Sequence, residues 1–196
     1  MLSIHGGGFL VFGGLHESPR TPSAPPQSVL LNDLWRFDPE TGTWTELCPA
    51  GDVPSPRWCH SACMLDSNRM AVFGGWLYPK SEFLSDFYVL DLGENRFDLA
   101  AVGPARPSPR CQSNLFKVPG SPCLGLFGGA SRKTDPGHGA GGAYGDAVVD
   151  ICDLWLLDLA TATWLRCPGE GLLQLRGGVN STIQVRIPCK NGVLLA

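Results

Sequence analysis

Three stretches of this 196-residue chain share one design: NDLWRFDPETGTW (32–44), SDFYVLDLGENRF (85–97) and CDLWLLDLATATW (152–164). In each, an Asp (Asp33, Asp86, Asp153) stands eleven residues before an aromatic (Trp44, Phe97, Trp164). A run ending in Gly-Gly precedes each copy: FLVFGG (9–14), MAVFGG (70–75) and CLGLFGG (123–129). A step ending in Arg follows: PSPR (54–57), PSPR (107–110) and the divergent LQLR (173–176). The aromatic-to-Arg distance is 13, 13 and 12 residues, and Arg to the next Phe-Gly-Gly is 16 and then 17. Only the stretch between the Gly pair and the next Asp varies strongly, at 18, 10 and 23 residues. Fixed offsets around one elastic joint mark a folded module that repeats and carries a variable loop.

Each unit reads as four short strands, a to d, because apolar, β-branched and aromatic residues fall between turn signals. Strand a follows the Arg (60–65, 113–118, 181–187) and strand b ends at the Gly pair. Strand c is the repeated stretch itself, and strand d starts at its aromatic (43–47, 96–102, 163–167). The a–b turns (DSNR, PGSP, PCKN) and c–d turns (PETG, LGEN, LATA) are hairpin-sized, and several carry Gly, Asn or Pro. The Gly pair relieves strand b where the chain leaves the sheet, or lets another backbone approach. The recurrent aromatics suit a core between stacked sheets, each burial contributing about 1.5–3 kcal/mol. Such a sheet cannot cover both of its own faces, so copies must stack, and radial stacking gives a β-propeller.

Gly-Gly, then an aromatic in strand c, then Trp at fixed offset, resembles the kelch repeat. Phe73, Gly74, Gly75, Tyr88 and Phe97 match one copy, with Phe in place of the usual Trp. Phe12, Gly13, Gly14, Trp35 and Trp44 match another, and Phe127, Gly128, Gly129, Trp155 and Trp164 a third, both with Trp in place of the usual Tyr. The resemblance implies an all-β, incomplete kelch-type propeller of about three four-stranded antiparallel blades plus a partial one. The expected blades are 1–53 (first strand truncated), 54–106 and 107–172, with 173–196 starting a further blade. MLSI-HGGG-FLVFGG aligns with ACML-DSNR-MAVFGG, so the chain is expected to begin inside strand a; STIQVRI-PCKN-GVLLA stops in strand b. Kelch propellers close with about six or seven blades, so a segment of a longer propeller is expected, with open blade faces and edges that invite self-association.

Composition excludes several classes. Formal net charge is −3, which leaves no basic footprint for nucleic acid. No apolar run approaches a membrane span, and the N-terminus lacks the charged and apolar regions of a signal peptide. Eight Cys are scattered without a CxxC pair, mostly beside apolar stretches, which favours a reducing, cytoplasmic setting while leaving disulfides open. No cofactor and no metal are expected: Cys59, His60 and Cys63 share one strand without a second cluster, and the four His form no motif. No Gly-x-Ser-x-Gly is present, and the Gly-rich GAGGAYGD opens no βαβ unit, so no catalytic residue is assigned.

In an up-and-down sheet the short a–b and c–d turns share one rim, and the b–c and d–a connections share the other. Function concentrates on loops displayed by a rigid scaffold, so the second rim, with segments 15–32, 76–85 and 130–152, is the expected binding face. Its candidate contacts are Trp76, Tyr78, Lys80 and Phe83 in one loop and Arg132, Lys133, His138 and Tyr144 in another. Arg57 and Arg110 stand at the d–a corners of that rim. They either ring the mouth for an acidic ligand or, because they recur once per blade, pair with carboxylates and fix blade spacing. Asp33, Asp86 and Asp153 are expected to bond nearby backbone N–H groups, and Asp38, Asp91 and Asp158 to shape turns. Kelch proteins often serve as adaptors and scaffolds, so the resemblance implies a module that binds a protein or peptide. Kelch-like propellers also include galactose oxidase, with copper held by Tyr and His, and a sialic acid mutarotase; an enzyme fragment of that type is the alternative, although only Tyr78, Tyr88 and Tyr144 are available here.

Overall fold

The computed structural model describes residues 1–4, 7–19, 27–77, 80, 82–132 and 148–168. All regular structure among them is β. The first sheet contains β1 (Leu2–Ser3), β2 (Phe9–Glu17), β3 (Ser28–Asp38) and β4 (Thr43–Leu47), hydrogen-bonded in that order. The second adds β5 (Ala50–Gly51), β6 (Ser61–Met64), β7 (Arg69–Leu77), β8 (Glu82–Asp91) and β9 (Arg96–Leu99), in the order β5-β9-β8-β7-β6. The third is β10 (Asn114–Lys117), β11 (Cys123–Phe127), β14 (Leu154–Asp158) and β15 (Thr163–Arg166), with β12 (Ala130–Arg132) and β13 (Val148–Asp150) paired in its b–c connection. The further blade expected over 173–196 lies outside the described residues.

These are three four-stranded meanders, fewer than the four to eight blades that close a propeller. One departure from the expected boundaries is β5, which precedes residue 54 yet pairs in parallel with β9 of the second sheet. The arm leaving the first sheet thus runs along the outer strand of the second.

Alternation along the central strands explains the stacking. On β7, Met70 and Val72 point toward Leu10, Phe12 and Leu34 of the first sheet. Ala71 and Phe73 point the other way, into a cluster with Leu124, Leu126, Leu157 and Trp164 of the third. A strand apolar at every position is what a sheet covered on both faces requires.

The Gly pairs work as bulges. Register shifts between Phe12 and Gly14 and between Phe73 and Gly75, and all six repeat glycines have positive φ, from +57° to +114°. They also admit a neighbouring backbone: a Cβ on Gly74 would lie 2.6 Å from the Arg110 carbonyl oxygen. Past the bulge the ladder continues. Leu15 pairs Leu30, Trp76 pairs Phe83 and Ala130 pairs Asp150, so segments 15–32, 76–85 and 130–152, expected as loops, begin and end as two-stranded extensions of the blade.

The opposite rim is built from Asx turns. Asp38 Oδ1 accepts from the amides of Glu40 and Thr41, Asp91 Oδ1 from those of Gly93 and Glu94, and Asp158 Oδ1 from that of Ala160.

Candidate interaction site

Arg57 and Arg110 do not face a mouth. Both are fully buried, and all five N–H donors of each are used. Arg57 donates to Ser55 O and Oγ, to Gly74 O at 3.0 Å and to both Asp86 carboxylate oxygens at 2.6 and 2.9 Å. Arg110 repeats the pattern on Ser108, Gly128 and Asp153. The backbone of each Arg belongs to the preceding blade: Gly14 N donates to Arg57 O and Arg57 N to Leu31 O, just as Gly75 N donates to Arg110 O and Arg110 N to Leu84 O. Each Arg is therefore a stitch, main chain in one sheet and guanidinium in the next, and it has no donor left for a ligand. This corrects the expectation for Asp86 and Asp153, which receive a guanidinium fork instead of backbone amides. Burial alone would raise the Asp153 carboxyl; Arg110 and the Trp155 indole N–H bring it below its ordinary value. Asp33 accepts the Trp35 indole N–H at 2.8 Å.

A second linkage recurs at the starts of the inner strands. Cys59 and Gln112 both hold φ of +54°, and Gln112 N donates to Cys59 O. Ser61 Oγ donates to Ser113 O beneath them. Because this geometry appears in two successive blades, it is construction rather than recognition. Burial pushes the Cys63 and Cys111 thiols up to about 12, so both behave as small apolar side chains.

What does not recur is more informative. After the second Gly pair stand Trp76 and, across the ladder, Phe83; the equivalent pairs are Leu15 with Leu30 and Ala130 with Asp150. Trp58 bridges back to Trp76, where Cys111 bridges to Ala130 in the next blade. The Trp58 and Trp76 rings stack at 5.4 Å and the Trp76 and Phe83 rings at 6.0 Å, forming a half-buried aromatic row on one blade alone. Beside it, a cleft of about 370 Å³ between the second and third blades is lined by Lys80, Glu82, Phe83, Pro109, Ser131 and Arg132. The fold thus brings together Trp76, Phe83, Lys80 and Arg132 of the expected contacts. Tyr78, Lys133, His138 and Tyr144 lie outside the described residues. Trp58 escaped the sequence reading because it looks like the tail of the Pro-Arg step; the signal available was its mismatch with Cys111 at the same offset. No group of three or more potential metal ligands occurs among the described residues.

His60 sits two residues beyond Trp58, edge-on to Phe12 at 5.4 Å. Enclosure, and after it the Arg57 charge, bring its pKa down to about 4. An unfolded His titrates near 6.5, so the unfolded chain binds the extra proton first. Stability is therefore full above pH ~6.5 and falls as pH drops toward ~4, by about 3 kcal/mol in all. Urea midpoints measured across that window check this; the slope is expected to flatten in His60→Gln, and an unchanged slope there would assign the loss to other groups.

A family model described as the KLHDC2/KLHL20/DRC7 Kelch-repeats domain matches residues 1–184. The chain belongs to the kelch-repeat family. Among curated relatives, Adagio-like protein 3 of Oryza sativa subsp. japonica is 30% identical over 132 residues, covering 66% of this chain and 19% of that protein. Host cell factor 2 of Homo sapiens is 44% identical over 52 residues, covering 26% of this chain and 6% of that protein. The kelch chain therefore spans no more than about a fifth of those relatives. Among solved structures, YjhT aligns over 82% of the chain and 48% of its own length, with a TM-score of 0.55 at 14% identity, a likeness of fold. The fold is thus an incomplete all-β kelch propeller, a class of domain that binds protein partners. No helix among its described residues is long and apolar enough to cross a membrane.

Proposed function

We propose that this kelch segment is an interaction module, an adaptor or scaffold element, that binds a protein or peptide on the rim carrying the b–c hairpins. The observation that carries the reading is the aromatic row Trp58–Trp76–Phe83, which breaks the repeat pattern on one blade and adjoins a cleft with two cations, Lys80 and Arg132. Rigid aromatics with an adjacent Arg are the usual anchors of a recognition surface. A segment with apolar and acidic side chains suits this chemistry: the apolar groups cover Trp76 and Phe83, and the acidic ones face Lys80 and Arg132. A peptide array probed with the whole chain is expected to select such sequences. Trp76→Ala and Phe83→Ala are each expected to weaken the best hit at least tenfold by fluorescence polarisation, with the far-UV spectrum unchanged. Equal affinity in both variants would place the contact surface elsewhere. A reducing, cytoplasmic setting belongs to the same proposal and draws support from Cys63 and Cys111, packed as free, apolar thiols.

A further inference from the structure

The ladder registers define the same three-residue row on each blade: Phe9–Phe37–Trp44, Met70–Leu90–Phe97 and Leu124–Leu157–Trp164. Residues directly opposite in an antiparallel ladder share a face, so each row is one strip of one side of its sheet. The second and third rows are all 2% exposed or less. Leu10, Phe12 and Leu34 of the preceding blade cover the second, with the Phe12 and Phe97 rings at 5.3 Å. Ala71, Phe73 and Phe87 cover the third, with the Phe73 and Trp164 rings at 5.8 Å. The first row has no preceding blade among the described residues. Phe9 and Phe37 stack on each other at 5.3 Å, and Trp44, 51% exposed, leans on Phe37 alone. Val11 and Trp35 pair on the same face and extend the strip.

The chain thus shows twice, residue for residue, that this strip packs against an apolar sheet of its own kind. Of the sheet surfaces that could do so, the covering face of the third blade is closed, with Phe127 and Leu154 at 1% and 3% exposed. The open surface of matching chemistry is the strip itself on another molecule. We propose that the outer face of the first sheet is a self-association surface, on which a second copy of this chain docks the same face about a two-fold axis. The contact is isologous and sheet on sheet, each copy supplying the row Phe9–Phe37–Trp44. It lies on a different surface from the rim proposed for partner binding and stands or falls separately.

Sedimentation velocity on the whole chain over a wide dilution series tests this. A species of twice 21.0 kDa is expected, dissociating on dilution with a red shift of Trp emission. Trp44→Glu is expected to raise the dissociation constant at least about thirtyfold, as loss of a central aromatic anchor does. Leu165→Glu, at a residue 66% exposed on the third sheet, is expected to leave it unchanged. Trp44→Thr, which keeps a β-forming side chain, serves should Trp44→Glu alter the far-UV spectrum. Monomer at every concentration, association equally weakened by Leu165→Glu, or open chains of many copies that Trp44 variants dissolve would each overturn the two-fold face-to-face contact.

Discussion

Replacing Arg110 by Ala is expected to lower the stability of this kelch chain by about 3–5 kcal/mol, measured by urea unfolding. The side chain is fully buried, and its loss strands the Asp153 carboxylate, itself only 11% exposed, without its guanidinium fork. Two buried carbonyls and a Ser hydroxyl also lose a donor. Lys is not expected to restore it, because one ammonium cannot reach Ser108, Gly128 and both Asp153 oxygens at once. Combining Arg110→Ala with Asp153→Ala is expected to cost less than the sum of the two, since the second change removes the stranded charge. Additive losses would show that the pair does not act as a unit.

Trp164→Ala and Trp44→Ala should differ sharply although both sit at the same repeat position. Trp164 is 2% exposed and lies edge-on to Phe73 and Phe87 at 5.8 and 6.2 Å, so truncation leaves a cavity between blades and costs about 3–5 kcal/mol. Trp44 is 51% exposed, so its truncation in the monomer is expected to cost under about 1 kcal/mol. Both values come from denaturation at concentrations below any association. Phe should serve at 164 nearly as well as Trp, because the indole N–H has no acceptor among the described residues and Phe97 already fills the equivalent place. Equal losses for the two Ala variants would mean that the blades do not stack as described.

The blades were legible because strand pairing is local. Two-residue alternation, fixed offsets and Asx residues at the turns all lie within one unit, and β3, β8 and β14 include the expected strand c. The b–c connections were misread as loops because the bulge at the Gly pair resets the register, hiding the match of Leu15 to Leu30 and of Trp76 to Phe83. The Arg stitches were only half legible. Their recurrence pointed to structure, but the Asp partners stand 29 and 43 residues away, beyond any local pattern. The aromatic row was partly legible through Trp76 and Phe83. Trp58 joins it only because the d–a arm folds back onto strand b, a closure that no spacing rule records.

The parallel addition of Ala50–Gly51 to β9 has a consequence for growth by strand addition. A sheet recruits further strands only where a row of amides and carbonyls is vacant. In the middle blade Ala50 N is bonded to Asn95 O, Asp52 N to Phe97 O, and the Asp52 carboxylate receives Leu99 N, so that margin is already sealed by the chain's own arm. The margin left for a fibril to template on is therefore β4, and the design that seals one blade concentrates the hazard at the other.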